Sequence, residues 1–355
     1  MKLLYEGPMW FGSTTLQRYH AMEAIPGVDV VRLDRIFGAP TNRAPSLYQR
    51  VRWKLRWPVD AGNENQRLLD AAARSRPDAV IVENSRVIRR STLRKLRELG
   101  VAALVYYTPD DIIGPHNLSW SVRLTFPEWD VFFTTKTFNI PELAARGVRR
   151  PVLVGNAFDP ELNRPLTPAE VGEEFERWDL VFVGTYEKER CASINQLARQ
   201  GMSVVVYGSD WRRSMLAPEV VLRPQQLGPD YTRAMHTGKV ALCFLRKINR
   251  DRITTRTLEI TAMARPMLGE KTDEHDEHFV DGAEYIGFSN EDEIVTKARL
   301  LLGDTSLRSR VAAAGRSRCV ASGYSTAHRA AQMLEEVTKA VDRRASASHA
   351  DAAGT

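Results

Sequence analysis

Short apolar runs alternate with amphipathic stretches along almost the whole chain of 355 residues. The apolar runs are typical of buried strands, and the amphipathic stretches are typical of helices that cover them. This alternation predicts an α/β fold with parallel sheets flanked by helices. In the first half, strands are predicted at 2–5, 28–33, 78–82, 101–107, 130–134 and 151–154.

The same alternation begins again in the second half of the chain, which predicts two doubly wound halves of similar size. Ligand would then bind at the carboxyl ends of the strands, in a cleft between the halves. Strands are predicted here at 179–183, 203–207, 239–244, 266–269 and 284–286. Helices are predicted across the chain at 14–25, 63–75, 89–99, 138–146, 187–200, 228–236, 255–264, 289–302, 304–321 and 325–341.

A stretch rich in proline and acidic residues, 157–178, separates the two halves and is typical of an interdomain linker. The last residues are small and polar, which favours disorder. We therefore predict a first domain over 1–160, a linker over 161–176, a second domain over 177–324, a closing helix over 325–342 and a disordered tail over 343–355.

Composition excludes several classes of protein. No apolar run is long enough to span a bilayer, and residues 1–12 lack the pattern of a signal peptide. Cys191, Cys243 and Cys319 are scattered without metal spacing, as expected for free thiols in the cytoplasm. The net charge of +6 could suggest nucleic acid, but no nucleic-acid motif accompanies it, and an enzyme that works on phosphorylated substrates beside anionic lipid explains the charge as well.

The most informative stretch is 249–268, in which Asp251 and Glu259 enclose seven residues. Thr255 and Arg256 lie between the two carboxylates, where the predicted helix begins. A helix N-terminus and a guanidinium both suit a diphosphate, and a carboxylate one turn further suits a ribose diol. The alternative is an ordinary capped helix N-terminus.

Two further junctions in the second half could contact the same ligand. Gly184 ends a strand, and Arg190 follows as the next helix begins, which is a phosphate-facing arrangement without the ending of a P-loop. Gly208 and Trp211 follow the next strand and could meet a nucleoside base. The alternatives are a solvated helix face at 187–190 and a Trp211 that packs into the core.

The first half offers candidates for binding the acceptor and for base catalysis. The first turn after a strand contains Gly12, Ser13 and Thr14, which form either a ligand loop or a plain capped turn. Asp111 and His116 follow strand 101–107, where Asp111 could act as a general base. Two further segments are of interest. The basic aromatic stretch 43–57 is typical of an interfacial helix or of a packed surface helix. The segment His275–His278 is expected to be a solvent-facing turn.

The order of these motifs resembles the CgeB-like glycosyltransferases of the spore-maturation-protein type, with a group 1-like C-terminal domain. The residues that carry the resemblance are FVG with Arg190, YGSDW, RITTRTLE, GAEYIGFSNEDEI and RVAAAGRSRCVASGYS, and it extends more faintly through the GSTT loop and TTKTFN. The resemblance implies a GT-B fold: two Rossmann-like domains that face each other across a cleft, and a last helix that crosses back to the first domain. Asp251 and Glu259 are similar to a family E-x7-E signature, although the first position here is the shorter Asp.

These observations together predict a metal-independent, cofactor-free glycosyltransferase of the cytoplasm. Its donor would be a nucleotide-diphosphate sugar, and retention of the anomeric configuration is favoured over inversion. Asp251 would orient the donor sugar, and Asp111 would be the base if the reaction inverts. The donor would be held by Gly184, Arg190, Gly208, Thr255, Arg256 and Glu259, and the acceptor side would include Gly12, Ser13, Thr14 and His116. The alternatives are a nucleotide-sugar 2-epimerase of the same fold and a non-catalytic sugar-binding protein.

Overall fold

The computed structural model describes residues 1–36 and 46–353 of the chain, which divide into two compact units. Unit 1 consists of Met1–Gly155, Ile248–Arg250 and Thr326–Thr355. Unit 2 consists of Asn156–Lys247 and Asp251–Ser325. Each unit is built on its own six-stranded sheet, and every strand pair in both sheets is parallel.

The sheet of unit 1 is buried on both faces because its strands are almost entirely apolar at their centres. The strands are β1 (Lys2–Gly7), β2 (Asp29–Asp34), β3 (Ala79–Glu83), β4 (Ala103–Thr108), β5 (Val131–Thr134) and β6 (Pro151–Leu153). They lie in the order β2-β1-β3-β4-β5-β6, so the chain changes winding direction between β1 and β3.

Helices cover the two faces of this sheet, with one exception. The helices of the first half are α1 (Thr14–Glu23), α2 (Leu47–Lys54), α3 (Glu64–Ser75), α4 (Arg90–Glu98), α5 (Trp120–Arg123) and α6 (Asn139–Ala144). Helix α2 has no buried residue and leaves Leu47, Tyr48, Val51 and Trp53 exposed. It forms most of the stretch predicted at 43–57, of which residues 43–45 lie outside the described residues.

The sheet of unit 2 has the strand order of a Rossmann fold. Its strands are β7 (Trp178–Val183), β8 (Val204–Tyr207), β9 (Val220–Arg223), β10 (Gly238–Cys243), β11 (Met267–Glu270) and β12 (Ile286–Phe288). They lie in the order β9-β8-β7-β10-β11-β12, so the winding reverses between β7 and β10. Ligands of open α/β sheets bind at this kind of reversal, outside the carboxyl ends of the strands.

The helices of unit 2 pack two apolar clusters against the two faces of its sheet. They are α7 (Pro168–Val171), α8 (Lys188–Arg199), α9 (Pro229–Met235), α10 (Thr255–Ala262), α11 (Asp273–His278), α12 (Glu291–Gly303) and α13 (Thr305–Ala321). The segment 161–176, expected to be a linker, contains α7 and groups with unit 2.

The last helix, α14 (Thr326–Ala353), belongs to unit 1, where its apolar face packs against α1 and the sheet. Arg150 of the same unit forms an ion pair with Glu336 on this helix. The helix continues through Ala353, whereas the sequence predicted disorder from residue 343. The prediction gave too little weight to the helix-favouring alanines and arginines of this stretch.

Candidate functional site

The winding reversal of unit 2 brings two polar junctions side by side. Strand β7 ends at Val183 and is followed by Gly184, while the neighbouring strand β10 ends at Cys243. Helix α8 begins after the first junction and carries Arg190, and α10 begins after the second and carries Arg256. The Arg190 guanidinium lies 5.8 Å from the centre of the Phe182 ring of β7, and the Thr257 hydroxyl of α10 lies 3.6 Å from the Cys243 thiol, so both helices begin beside the ends of these two strands.

Arg256, Glu259 and Tyr231 form a cluster at the start of α10. Glu259 is 7% exposed, and its Oε2 accepts hydrogen bonds from Arg256 Nη1 at 3.0 Å and from the Tyr231 hydroxyl at 2.9 Å. The Arg256 guanidinium also lies 4.3 Å from the centre of the Tyr231 ring. Burial opposes the charge of Arg256, but the negative potential of Tyr231 and Glu259 raises its pKa overall. The guanidinium is therefore held charged in a fixed position.

The same carboxylate retains capacity for a ligand. Its two hydrogen bonds both go to Oε2, and no donor among the described residues reaches Oε1. The neighbouring Thr255 donates from its hydroxyl to Asn156 Oδ1 at 3.1 Å, so this side chain ties the start of α10 to the beginning of unit 2. Tyr231 was not among the predicted site residues, because it lies 28 positions before Glu259 and no local motif links the two.

His275 packs against helix α10. This contact corrects the expectation of a solvent-facing turn at 275–278. The residues form α11, and His275 is fully buried. Its ring contacts the Thr257 hydroxyl at 2.8 Å and the Glu270 carbonyl at 2.6 Å. Burial lowers the pKa of His275 to about 4, so the ring is neutral near pH 7.

Arg190 is the second cation of the site, and its buried guanidinium has few hydrogen-bond partners. It is 8% exposed, and its Nη1 donates to the Thr185 carbonyl at 3.2 Å. Glu187 lies 3.6 Å from Nη2 but also pairs with Arg246 at 3.0 Å, so its charge is shared. The Nε of Arg190 is buried without a partner among the described residues. Burial lowers the pKa of this guanidinium, which an incoming anion would offset.

Gly184 and Gly208 bring the ends of β7 and β8 together rather than opening a path for ligand. A Cβ at Gly208 would lie 1.9 Å from the Gly184 carbonyl oxygen, which no side chain tolerates. The Trp211 indole donates to that same oxygen at 2.8 Å and packs into the core against Phe182. The structure therefore favours the core reading of Trp211 over a wall for a nucleoside base.

Asp251 lies half-buried in the turn that precedes α10. Its backbone N–H donates to the Arg246 carbonyl at 3.2 Å. The preceding residues Ile248–Arg250 group with unit 1, whereas Asp251 groups with unit 2. Its predicted role in orienting the donor sugar stays a prediction.

Asp111 is not poised as a general base. Its side chain is 1% exposed, and both oxygens accept from Arg250, at 2.6 and 2.8 Å. Asn139 adds a further hydrogen bond at 2.9 Å. Burial acts to raise the pKa of Asp111, but Arg250 and Asn139 outweigh it and lower the pKa below the ordinary value. A carboxylate so firmly paired takes up a proton poorly, which corrects the expectation of a free base.

The four residues predicted for the acceptor side fall into two groups. Gly12 has a φ of 82°, and Ser13 caps α1 by accepting from the Leu16 N–H at 3.1 Å. The hydroxyl of Thr14 accepts from Arg18 at 3.3 Å. These three residues thus form a capped turn, and their role on the acceptor side stays a prediction. His116 is exposed and lines a cavity of unit 1.

A family profile described as Glycosyl transferase-like matches residues 189–335, the part of unit 2 that contains Arg190, Arg256 and Glu259. This part is a glycosyltransferase-like domain. No curated protein sequence gives a significant match to the chain.

Solved structures of glycosyltransferases share the fold of this domain and of unit 1. HepE of Anabaena, in complex with UDP and glucose, aligns with a TM-score of 0.67 at 11% identity, over 96% of this chain and 100% of its own. Sucrose-phosphate synthase of Thermosynechococcus elongatus aligns with a TM-score of 0.65 at 10% identity, over 94% and 98%. The predicted GT-B fold is thereby confirmed, and the family match over 189–335 supports the predicted enzyme class, a glycosyltransferase.

The fold also occurs outside the glycosyltransferases. A structure from Listeria monocytogenes described as a UDP-N-acetylglucosamine 2-epimerase aligns with a TM-score of 0.54 at 13% identity, over 94% of each chain. At these identities the structural likeness shows the fold alone. The family match over 189–335 is therefore what distinguishes the two enzyme classes.

Unit 1 contains buried carboxylates that the sequence analysis missed. Glu83, at the end of β3, accepts from Arg18 at 2.5 Å, from Thr15 at 2.8 Å and from the Tyr5 hydroxyl. Nearby, Arg35 is paired with Glu6 and Glu64. A single carboxylate at the end of an apolar strand was the available signal, but its partners are distant in sequence.

Neither a metal centre nor a membrane span is found in the described part of the enzyme. Within it, no three His, Cys, Asp or Glu side chains are grouped so as to hold a metal ion. No helix of residues 1–36 and 46–353 has the length and apolar character that crossing a membrane requires.

Proposed function

We propose that this enzyme transfers a sugar from a nucleoside-diphosphate sugar to an acceptor hydroxyl and holds the donor at the carboxyl edge of the unit 2 sheet. The observation that carries the proposal is the cluster of Arg256, Glu259 and Tyr231 at the start of α10. The cluster lies beside the winding reversal of a Rossmann-order sheet and within the glycosyltransferase-like domain. An anion site and a diol site would thus lie one helical turn apart.

The diphosphate and the ribose of the donor each have matching groups. The N-terminal N–H groups of α10, Arg256 and Arg190 would bind the diphosphate, because all three supply donors with positive potential. The unpaired Nε of Arg190 gives this side chain a hydrogen bond still to form. Glu259 would accept from a ribose hydroxyl through Oε1, while Arg256 and Tyr231 keep its other oxygen fixed.

The reaction exchanges one bond at the anomeric carbon for another. The bond from this carbon to the β-phosphate oxygen breaks, and its electron pair leaves with the nucleoside diphosphate. A bond from the same carbon to the acceptor oxygen forms, and the acceptor hydroxyl loses its proton, which ends on the departing phosphate or in solvent. Charge grows on the diphosphate in the transition state, where Arg190 and Arg256 would stabilise it.

Retention of anomeric configuration is the proposed stereochemistry. The pairing of Asp111 with Arg250 and Asn139 supports it, since a retaining reaction needs no free base from unit 1. Asp251 would orient the donor sugar. The configuration of the product, read by NMR from a donor of known anomeric form, tests this choice.

Independence from metal is part of the same proposal. Two guanidinium groups would supply the charge that a divalent cation supplies elsewhere. Activity is then expected to persist in EDTA, whereas loss of activity in EDTA with recovery on adding Mg²⁺ would contradict this part.

A nucleotide-binding screen tests the donor site. UDP, GDP, dTDP and ADP are added without metal to the wild type, to Glu259→Ala and to Glu277→Ala, and thermal unfolding is recorded. UDP is the first candidate, because HepE was solved with UDP and glucose. A ligand at a hundredfold excess over its Kd stabilises the folded state by about 2.7 kcal/mol.

One nucleotide is expected to stabilise the wild type and the Glu277→Ala control, in which an exposed α11 carboxylate is lost, but not Glu259→Ala. A wild type that responds to none of the four would remove the basis of the proposal. A protein that binds nucleotide but turns over no donor would support the non-catalytic alternative, and epimerised donor without acceptor would support the epimerase.

Three narrower features of the protein are also proposed. These are the CgeB-like subtype, a cytoplasmic location, and peripheral contact of the α2 surface with an anionic membrane. The exposed aromatic and basic residues of α2 support such contact, which is developed below.

A further inference from the structure

Unit 1 contains a cavity of about 320 Å³, which is within the range of small-molecule sites. Arg86, just after β3, and residues 115–119, in the loop after β4, form one side of it. Trp53, Lys54 and Arg56, at the end of α2, form the other. The cavity therefore opens at the carboxyl edge of a parallel sheet, where α/β units bind their ligands.

The charged residues that line this cavity are all basic. Lys54, Arg56 and Arg86 line it together with His116, and no carboxylate occurs among the described lining residues. Neither Lys54 nor Arg56 forms an ion pair with any described residue. Elsewhere in unit 1, arginines that line strand ends are matched by acids, as Arg18 is by Glu83. Uncompensated cations around a concavity favour an anionic ligand.

Arg86 is held in place before any ligand arrives. Its Nη2 donates to Asn117 Oδ1 at 2.6 Å, and its Nη1 donates to the His116 carbonyl at 3.3 Å. The guanidinium lies 5.1 Å from the centre of the Trp53 ring. Its own carbonyl accepts from the Ser119 hydroxyl at 2.6 Å. This side chain and the loop after β4 thus form one ordered wall, and Trp53 adds an apolar surface beside it.

We propose that this cavity binds a phosphate group of the acceptor, so that the enzyme glycosylates a phosphorylated acceptor. The inference that this phosphate belongs to an acceptor rests on the proposed function. Phosphate binding to the cavity can be tested separately. The phosphate is bound and does not react; a hydroxyl elsewhere on the same molecule receives the sugar. Lys54 and Arg56 supply mobile charge, and Arg86 supplies a fixed donor.

Two sources could provide this phosphate: a soluble sugar phosphate or a lipid headgroup. The second is suggested by Leu47, Tyr48, Val51 and Leu55, which are exposed on α2 and just after it, adjacent to the cavity. The phosphate chemistry is the same in both cases, and only the attached group differs.

The test is calorimetric titration of the full chain with glucose 6-phosphate and with glucose, in saturating UDP so that phosphate cannot enter the donor site. Vesicles of phosphatidylglycerol with phosphatidylcholine, and of phosphatidylcholine alone, are compared by co-sedimentation. The variants are Lys54→Gln with Arg56→Gln, and Arg74→Gln as the control. Arg74 is an exposed cation of α3 that lies outside the α2 surface and does not line the cavity.

We expect phosphate-bearing probe to bind at least about tenfold more tightly than its neutral counterpart, and the double variant to lose about tenfold, because charge-assisted hydrogen bonds are lost. Arg74→Gln should bind as the wild type does. Binding of glucose 6-phosphate assigns a soluble source, and binding confined to the anionic vesicles assigns a lipid source.

The inference is overturned if neither phosphate probe binds better than its neutral counterpart, or if the double variant and the Arg74→Gln control lose affinity equally. Its failure is distinct from that of the proposed function. Loss of UDP binding by the wild type removes the donor site, whereas loss of phosphate preference with UDP binding intact removes only the acceptor class.

Discussion

Both sheets of this protein have buried ionic groups at their carboxyl edges, but the two units pair these buried groups differently. In unit 1, the buried Glu83 and Arg18 pair with each other, and Arg35 pairs with Glu6 and Glu64. In unit 2, Arg190 keeps a buried Nε without a described partner, and Glu259 uses one carboxylate oxygen for both of its hydrogen bonds. The first arrangement is complete in itself, and the second has capacity left for a ligand.

The difference indicates how function can be separated from stability among buried charges. A charge whose partners all belong to the protein contributes to folding, and its loss leaves a buried partner uncompensated. A charge with an unsatisfied donor or acceptor carries a desolvation cost that ligand binding can offset. Substitutions at the two edges should therefore change different measurements.

The largest effect is expected for Glu83→Ala. The change leaves the buried Arg18 without its carboxylate, which should lower the free energy of unfolding by about 3–5 kcal/mol. Urea denaturation measures it, with Glu98→Ala, an exposed carboxylate on α4, as the control. UDP affinity should stay at the wild-type value wherever the variant is folded. A fall in UDP affinity with unchanged stability would reverse the comparison.

Arg256→Gln should show the opposite pattern. Loss of this donor to the departing diphosphate is expected to lower donor turnover by about 10²–10³-fold. Arg199→Gln, an exposed cation at the end of α8, should turn over donor as the wild type does. Steady-state release of nucleoside diphosphate measures both. Wild-type turnover by Arg256→Gln would show that the α10 cluster serves only the fold.

Glu6 gives unit 1 a pH dependence of stability. Burial raises the pKa of Glu6 to about 7, although Arg35 opposes the shift. The folded protein therefore keeps this proton between pH 4.5 and 7 while the unfolded chain loses it, so stability falls as pH rises through that window. The contribution is at most on the order of 3 kcal/mol.

Glu6→Gln should remove that fall, because the amide does not titrate. Urea denaturation of wild type and variant at several pH values measures it, and Glu98→Gln is the control for an exposed carboxylate. Parallel stability curves for wild type and Glu6→Gln across this window would contradict the expected shift.

Trp211→Phe should have the smallest effect. The indole hydrogen bond to the Gly184 carbonyl is lost, which costs about 1 kcal/mol of unfolding free energy. Since the ring packs in the core, nucleotide affinity should not change. A large loss of UDP affinity with little loss of stability would instead indicate that Trp211 contacts the nucleoside base.

The sequence was informative where chemistry and pattern are local. Arg256 and Glu259 lie on one short helix, so their spacing alone predicted a joint site. The strand β9 (Val220–Arg223) was missed, because it is a short edge strand just after Pro218 and has little apolar context. Most other strands were predicted to within about two residues, since buried parallel strands are continuous apolar runs.

Pairings between distant residues could not be predicted. Asp111 was expected to be a base because it follows a strand, but Arg250, 139 positions later in the chain, neutralises it. His275 was expected in solvent because its neighbours are charged, yet its ring is buried against Thr257. In both cases the partner is fixed by the tertiary fold, which no local spacing encodes.

The most direct test of the donor site compares UDP with uridine by calorimetry, on the wild type and on Arg256→Gln. If unsatisfied charge at the unit 2 edge binds the diphosphate, UDP should bind the wild type about a hundredfold more tightly than uridine, and Arg256→Gln should lose about tenfold of that preference. Equal binding of UDP and uridine, or a preference that Arg256→Gln leaves intact, would contradict the assignment of this edge as the diphosphate site.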